Sequence, residues 1–231
     1  MSEPAKIRFV RNPLIVALDV ESGREALELA RGLKDFAGCL KVGPRLVLRE
    51  GPGLVRELAQ LAPVFLDHKF FDIPSVMEAS LRAAFDIGVT LATVHASAGA
   101  ATLKQLAKVE KELNVKRPFC VLGVTVLTSV SGDEAEINKR VSQLASDVHT
   151  SGLGGLVCSP HEVAGLKEKF PNLFYVTPGI RSSTDSMDDQ SRTMTGAEAL
   201  RQGASAIVVG RPILKAADPI QAAGRLLKEL V

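Results

Sequence analysis

The sequence has no tryptophan, one tyrosine and nine phenylalanines in 231 residues. A surface that stacks nucleic-acid bases on aromatic rings is therefore not expected. Its cysteines number three, Cys39, Cys120 and Cys158, and all lie in apolar, strand-like runs. Buried free thiols in a reducing cytoplasm fit an odd count better than disulfides. No stretch approaches the run of about 18 uninterrupted apolar residues that crosses a membrane. The opening MSEPAKIRFVRNP lacks the apolar core of a signal peptide. A net charge of +2 supplies no field to draw in nucleic acid or an anionic membrane. There is no HExxH, no CxxC and no Walker-type loop, and His95, His149 and His161 show no metal-ligand spacing. A cytoplasmic protein with no metal, no nucleic acid and no membrane partner is expected.

What is present is alternation. Hydrophobic residues make up 46% of the chain, mostly Val, Leu, Ile and Ala, the usual filling of a parallel sheet buried on both faces. Strand-like runs open at Leu14–Val20, Cys39–Gly43, Pro63–Phe70, Val89–Ala96, Phe119–Val126, Gly155–Ser159, Leu173–Ile180 and Ala206–Ile213. Helical spacing follows each one, as in SGREALELARGLKDF, where Ser22 suits an N-cap with Glu25 three residues on. Eight strand–helix units in this length indicate an α/β protein, a (β/α)8 barrel. The rival, a doubly wound open sheet, would usually carry G-x-G-x-x-G after its first strand, and DVESGRE has none. No linker or break in composition interrupts the chain, so residues 1–231 read as one domain.

In such a barrel, reactive groups come from the C-terminal ends of the strands. Asp19 ends the first run, the second carries Lys41, and the third carries Asp67 and Lys69 with Asp72 just beyond. Residues two apart on a strand share a face, so Asp67 and Lys69 point the same way. Pro74 suits the first turn of the next helix and leaves Asp72 near that helix's start. Burying so many charges is costly unless they pair. An alternating chain of lysines and aspartates lets each remain ionised and fixes each ammonium in space, ready to donate to a developing carbanion. A structural ion-pair network is the plainer reading of the same residues. Gly210 and Arg211 at the last strand offer a backbone N–H and a guanidinium to one phosphate. The polar stretch between Ser182 and Thr195 suits either a closing flap or an idle surface loop.

From ALDV through KVG, FLDHKFFDIP, VTVLTS and TPGIR to VVGRPI, the chain resembles the orotidine 5'-monophosphate decarboxylase family. The resemblance implies a cofactor-independent, dimeric carboxy-lyase of UMP biosynthesis. It implies that Lys69 donates a proton to C6 of the pyrimidine and that Asp67 lies beside the substrate carboxylate. Lys41 and Asp19 would bind the ribose and orient the charges, and Asp72 would reach into the partner's site. Thr128 would touch the pyrimidine, while Gln190, Gly210 and Arg211 hold the phosphate with Arg181 nearby. The family's usual DIPNT is DIPSV here, so Val76 stands where a hydrogen-bonding Thr is usual. His68 is expected to face away from the charges as a packing or surface residue. His95 ends a strand and could face the mouth, though a satisfied core histidine is the expectation, and His161 is expected to begin a helix. Two alternatives share some of these features: a Mg2+-dependent sugar-phosphate decarboxylase or synthase, and a non-catalytic phosphate-binding barrel.

Overall fold

The computed structural model describes residues 9–127, 130, 132–180 and 194–230. The eight apolar runs form strands β1 (Leu14–Ala17), β2 (Cys39–Val42), β3 (Val64–Phe70), β4 (Val89–His95), β5 (Cys120–Val124), β6 (Gly155–Val157), β7 (Phe174–Thr177) and β8 (Ala206–Val209). They pair in parallel in chain order, and β8 pairs with β1 to close the barrel. Helices α1 (Gly23–Leu33), α2 (Pro44–Glu50), α3 (Pro52–Leu61), α4 (Pro74–Asp86) and α5 (Ala100–Lys116) belong to the first half. The second half carries α6 (Glu134–Ser151), α7 (Val163–Lys169), α8 (Gly196–Arg201), α9 (Arg211–Leu214) and α10 (Pro219–Glu229). The expected (β/α)8 barrel is thus the observed fold.

The period-two alternation sorts each strand into two cores. Ile15, Ala17, Cys39, Phe65, Leu91, Leu122 and Val176 belong to the cluster inside the barrel. Their neighbours Val16, Leu40, Leu66, Ala92 and Val121 belong to the cluster packed with helix residues. The N-terminal segment adds Phe9, whose ring meets Phe174 edge-on at 5.6 Å, and Val10 to the inner cluster. Gly38 is forced by a close approach, because a Cβ there would lie 1.9 Å from the Asn12 carbonyl oxygen. The three cysteines are free and buried, as expected. Burial pushes each thiol well up, so none is a ready nucleophile.

Several boundaries differ from the sequence reading. The stretch after KVG contains a separate helix, α2, begun by Pro44 at its first turn. The last strand stops at Val209, and Arg211–Leu214 is helical rather than extended. Pro212 has no N–H for a ladder and suits a first helical turn, which accounts for the change. Ser22 does cap α1 by accepting from Glu25 N–H, but the Glu25 carboxylate reaches the N–H of Glu21. His161 lies in a 3-10 turn, Pro160–Glu162, that leads into α7, with Ser159 and Glu162 forming a capping box.

Candidate active site at the barrel mouth

The inward-facing series on the first strands starts apolar and turns charged toward the C-terminal end. Ile15 and Ala17 lead to Asp19, Cys39 to Lys41, and Phe65 to Asp67 and Lys69. These side chains meet. Lys41 Nζ lies 3.6 Å from Asp19 Oδ1 and 3.5 Å from Asp67 Oδ2, and Lys69 Nζ lies 2.9 Å from Asp67 Oδ1. The array therefore runs Asp19–Lys41–Asp67–Lys69. Its middle is dry, with Lys41 and Asp67 side chains 12% and 17% exposed, while Asp19 is 58% and Lys69 36% exposed. Burial raises the Asp67 pKa, but Lys41, Lys69 and two hydrogen bonds outweigh it and hold the carboxyl below its usual range.

The backbone at Lys69 is unusual. Its φ is 48°, in the left-handed region that ordinary side chains avoid. The pairing of β3 with β4 slips between Leu66 and Phe70, so Lys69 rides on a bulge. Thr93 of β4 secures it: its hydroxyl accepts from the Lys69 N–H at 2.8 Å and donates to Asp67 Oδ1 at 3.1 Å. Thr93 is fully buried and escaped the sequence reading. The only signal was its place between Leu91 and His95 at the inward parity of that strand.

These charges line a cavity of about 510 Å3. Asp19, Lys41, Asp67 and Lys69 form one wall, Val126, Leu127, Val157 and Pro178 another, and Gly210 with Arg211 an edge. The molecule's own packing does not demand glycine at 210, since a Cβ would meet Ala17 Cβ at 3.5 Å and Asp19 Oδ2 at 3.8 Å, ordinary contact distances. An apolar slot beside fixed charges, with a guanidinium at one end, suits a flat polar ring carrying an anionic tail.

Other expected site residues fall elsewhere. Asp72 is exposed, accepts from the Ile73 N–H at 2.7 Å and does not line the cavity of its own chain. Around it Phe71, Ile73 and Val76 are 65%, 62% and 43% exposed. Thr128, Arg181 and Gln190 lie outside the described residues, as do residues 182–193 of the stretch expected to form a flap or an idle surface loop; its last residues, Met194 and Thr195, respectively bridge to Ile180 and cap α8. His68 is absent from the cavity wall, as expected, with its ring edge-on to Phe70 at 5.5 Å. Its Nε2 is buried without a hydrogen-bond partner, and its pKa is lowered by burial and Lys69 against the pull of Asp67. His95 corrects the expectation of a core histidine: it is half-buried at the rim, although Ser97 satisfies its Nδ1. No three His, Cys, Asp or Glu side chains among the described residues are grouped to hold a metal ion, and no described helix is long and apolar enough to cross a membrane.

Comparison with known proteins points one way. The profile of the orotidine 5'-phosphate decarboxylase / HUMPS family matches residues 12–226. An orotidine 5'-phosphate decarboxylase of Dichelobacter nodosus (strain VCS1703A) is 41% identical over 228 residues, spanning 95% of this chain and 99% of that protein. One from Trichlorobacter lovleyi (strain ATCC BAA-1151 / DSM 17278 / SZ) is 38% identical over 231 residues, 96% of each chain. The crystal structure of orotidine 5'-phosphate decarboxylase from Lactobacillus acidophilus superposes with a TM-score of 0.82 at 33% identity, covering 95% of this chain and 99% of that one.

Proposed function

The chain belongs to the orotidine 5'-phosphate decarboxylase / HUMPS family, and from that membership we propose that it converts orotidine 5'-monophosphate to UMP and CO2 in pyrimidine biosynthesis. The observation that carries the mechanism is the array Asp19–Lys41–Asp67–Lys69. The bond from C6 to the carboxylate breaks, CO2 leaves, and the electron pair remains on C6. The Lys69 ammonium faces that carbon, stabilises the developing charge and then protonates it. Water returns the proton to Lys69, so one substrate anion and one proton yield UMP and CO2. No cofactor enters these steps.

Asp67 holds Lys69 at 2.9 Å and lies where the substrate carboxylate enters. Its negative charge opposes that carboxylate until CO2 departs. Lys41 and Asp19 bind the ribose hydroxyls, Arg211 and the Gly210 N–H bind the phosphate, and Gln190, Arg181 and Thr128 complete the grip. Binding energy at the phosphate then serves the distant reacting carbon. The non-catalytic phosphate-binding alternative leaves the buried lysine–aspartate array without a role.

The working unit in this reading is a homodimer in the cytoplasm. Phe71, Ile73 and Val76, an exposed apolar group around Asp72, support burial against a second copy. Asp72 then reaches the partner's cavity, while Val76 contributes packing but no hydrogen bond to ribose. The primary test follows the ultraviolet change as orotidine 5'-monophosphate becomes UMP, with EDTA present, for wild type and Lys69→Ala. Wild type turns over and Lys69→Ala loses on the order of 10^4-fold or more in kcat. EDTA-sensitive turnover of a sugar phosphate instead would establish the Mg2+-dependent alternative. Mixing inactive Lys69→Ala and Asp72→Ala proteins restores part of the activity if sites are shared between protomers.

A further inference from the structure

His95 closes β4 beside the reactive lysine, yet the mechanism gives it no task. Its Nδ1 lies 2.6 Å from the Ser97 hydroxyl and accepts from the Ser97 backbone N–H at 3.3 Å. A backbone N–H only donates, so this geometry needs Nδ1 without a proton and puts the neutral ring's proton on Nε2. The same bonds cap a 3-10 turn, Ala96–Ala98. The ring meets Phe71 with centroids 5.6 Å apart and planes tilted by 54°. Phe71 lies between Lys69 and Asp72 and is 65% exposed, and the His95 ring is the aromatic neighbour it meets within the described residues of its own chain. Lys69 holds a left-handed φ of 48°, a conformation that persists only where its surroundings enforce it.

We propose that His95 is a positioning residue for the decarboxylation: its neutral ring, fixed by Ser97 on one side and set against Phe71 on the other, braces the segment from Lys69 to Asp72. The role rests on the decarboxylase reading above. The charged groups that act on the ring are Arg140 from α6 and Lys69 from β3; with burial as the largest cause, they hold its pKa below the usual histidine range. Protonation puts a hydrogen on Nδ1 facing the Ser97 N–H and adds a third positive charge beside Arg140 and Lys69. The cap opens, and the brace on Phe71 goes with it.

The test measures kcat and KM for orotidine 5'-monophosphate across the acid side of neutrality in wild type, His95→Asn and His95→Leu. Asn can present Oδ1 where Nδ1 accepts and does not titrate. Wild-type kcat is expected to fall in a one-proton step below the ordinary histidine range. His95→Asn keeps most of kcat at neutral pH and loses that step. His95→Leu loses roughly 10- to 100-fold in kcat with KM little changed, the cost of a misplaced reacting group. Nitrogen-15 NMR of the imidazole reports the tautomer even where a variant folds poorly, with the Nε2–H form expected. Persistence of the acid step in His95→Asn, full turnover in His95→Leu, or an Nδ1–H tautomer overturns the role of His95 alone. A wild type with no decarboxylase activity overturns the function and this role together.

Discussion

Asp67 and Glu110 are both carboxylates set into the wall of the barrel, one near its mouth and one near its floor. The partners of Asp67 include two cations, Lys41 and Lys69, and its carboxyl is held below the usual range although burial pulls it up. Glu110, on α5 and 5% exposed, is bonded instead by the Val121 N–H at 3.1 Å, the Gly154 N–H at 2.9 Å and the Cys120 thiol. Burial dominates there, and its carboxyl is pushed up to about 7. Peptide dipoles fasten α5 to the starts of β5 and β6 without requiring a charge. At the mouth the carboxylate instead pairs with two ammonium groups at once. One chemical group thus serves as a bolt or as a link in a charged array, according to whether dipoles or cations meet it.

Four substitutions test that contrast. Asp67→Asn should cost on the order of 10^3-fold in kcat, with little change in melting temperature; a large loss of stability would make Asp67 a bolt as well. Glu110→Gln should leave kcat unchanged and alter the pH dependence of stability. Because the folded pKa of Glu110 is raised, its contribution is fully present below the unfolded value, 4.5, and is lost as pH rises through about 7. That loss is on the order of 3 kcal/mol. Wild-type melting temperature should therefore fall across this window, and the part owed to Glu110 should vanish in the variant. Gly154→Ala puts a Cβ 2.3 Å from Glu110 Oε1 and 2.9 Å from Cys120 Sγ. It should destabilise by about 1–3 kcal/mol and leave the turnover of folded molecules intact. Thr93→Val removes the acceptor for the Lys69 N–H, and should cost about 1–2 kcal/mol together with a measurable drop in kcat. Calorimetry and the ultraviolet assay read all four.

The mouth was far more legible than the floor. Asp67 and Lys69 interrupt an apolar strand at the same inward parity as Phe65, so period-two reasoning carried them to one wall and Lys41 joined them there. The apolar runs likewise located all eight strands. Glu110 escaped because it stands between Val109 and Lys111 in a helix rich in charge, where a carboxylate ordinarily faces water. Only the register that aims it at Val121 and Gly154 distinguishes it. Thr93 was hidden because its importance comes from a bulge in the neighbouring strand, a feature of pairing rather than of composition. The short helix α2 was hidden by the glycines on both sides of it, at 43 and 51, which read as loop.

Lys69 occupies a backbone conformation that glycine adopts freely and that costs an ordinary side chain about 1–2 kcal/mol. A laboratory selection for heat tolerance alone would press position 69 toward glycine, relaxing the chain and deleting the ammonium in one step. With Lys69 as the proton donor proposed above, hardiness and turnover pull on this residue in opposite directions. Libraries built to toughen this barrel should keep position 69 constant. On the proposed mechanism, a hardened variant that has lost its lysine would be a receptor for the nucleotide and no longer its decarboxylase.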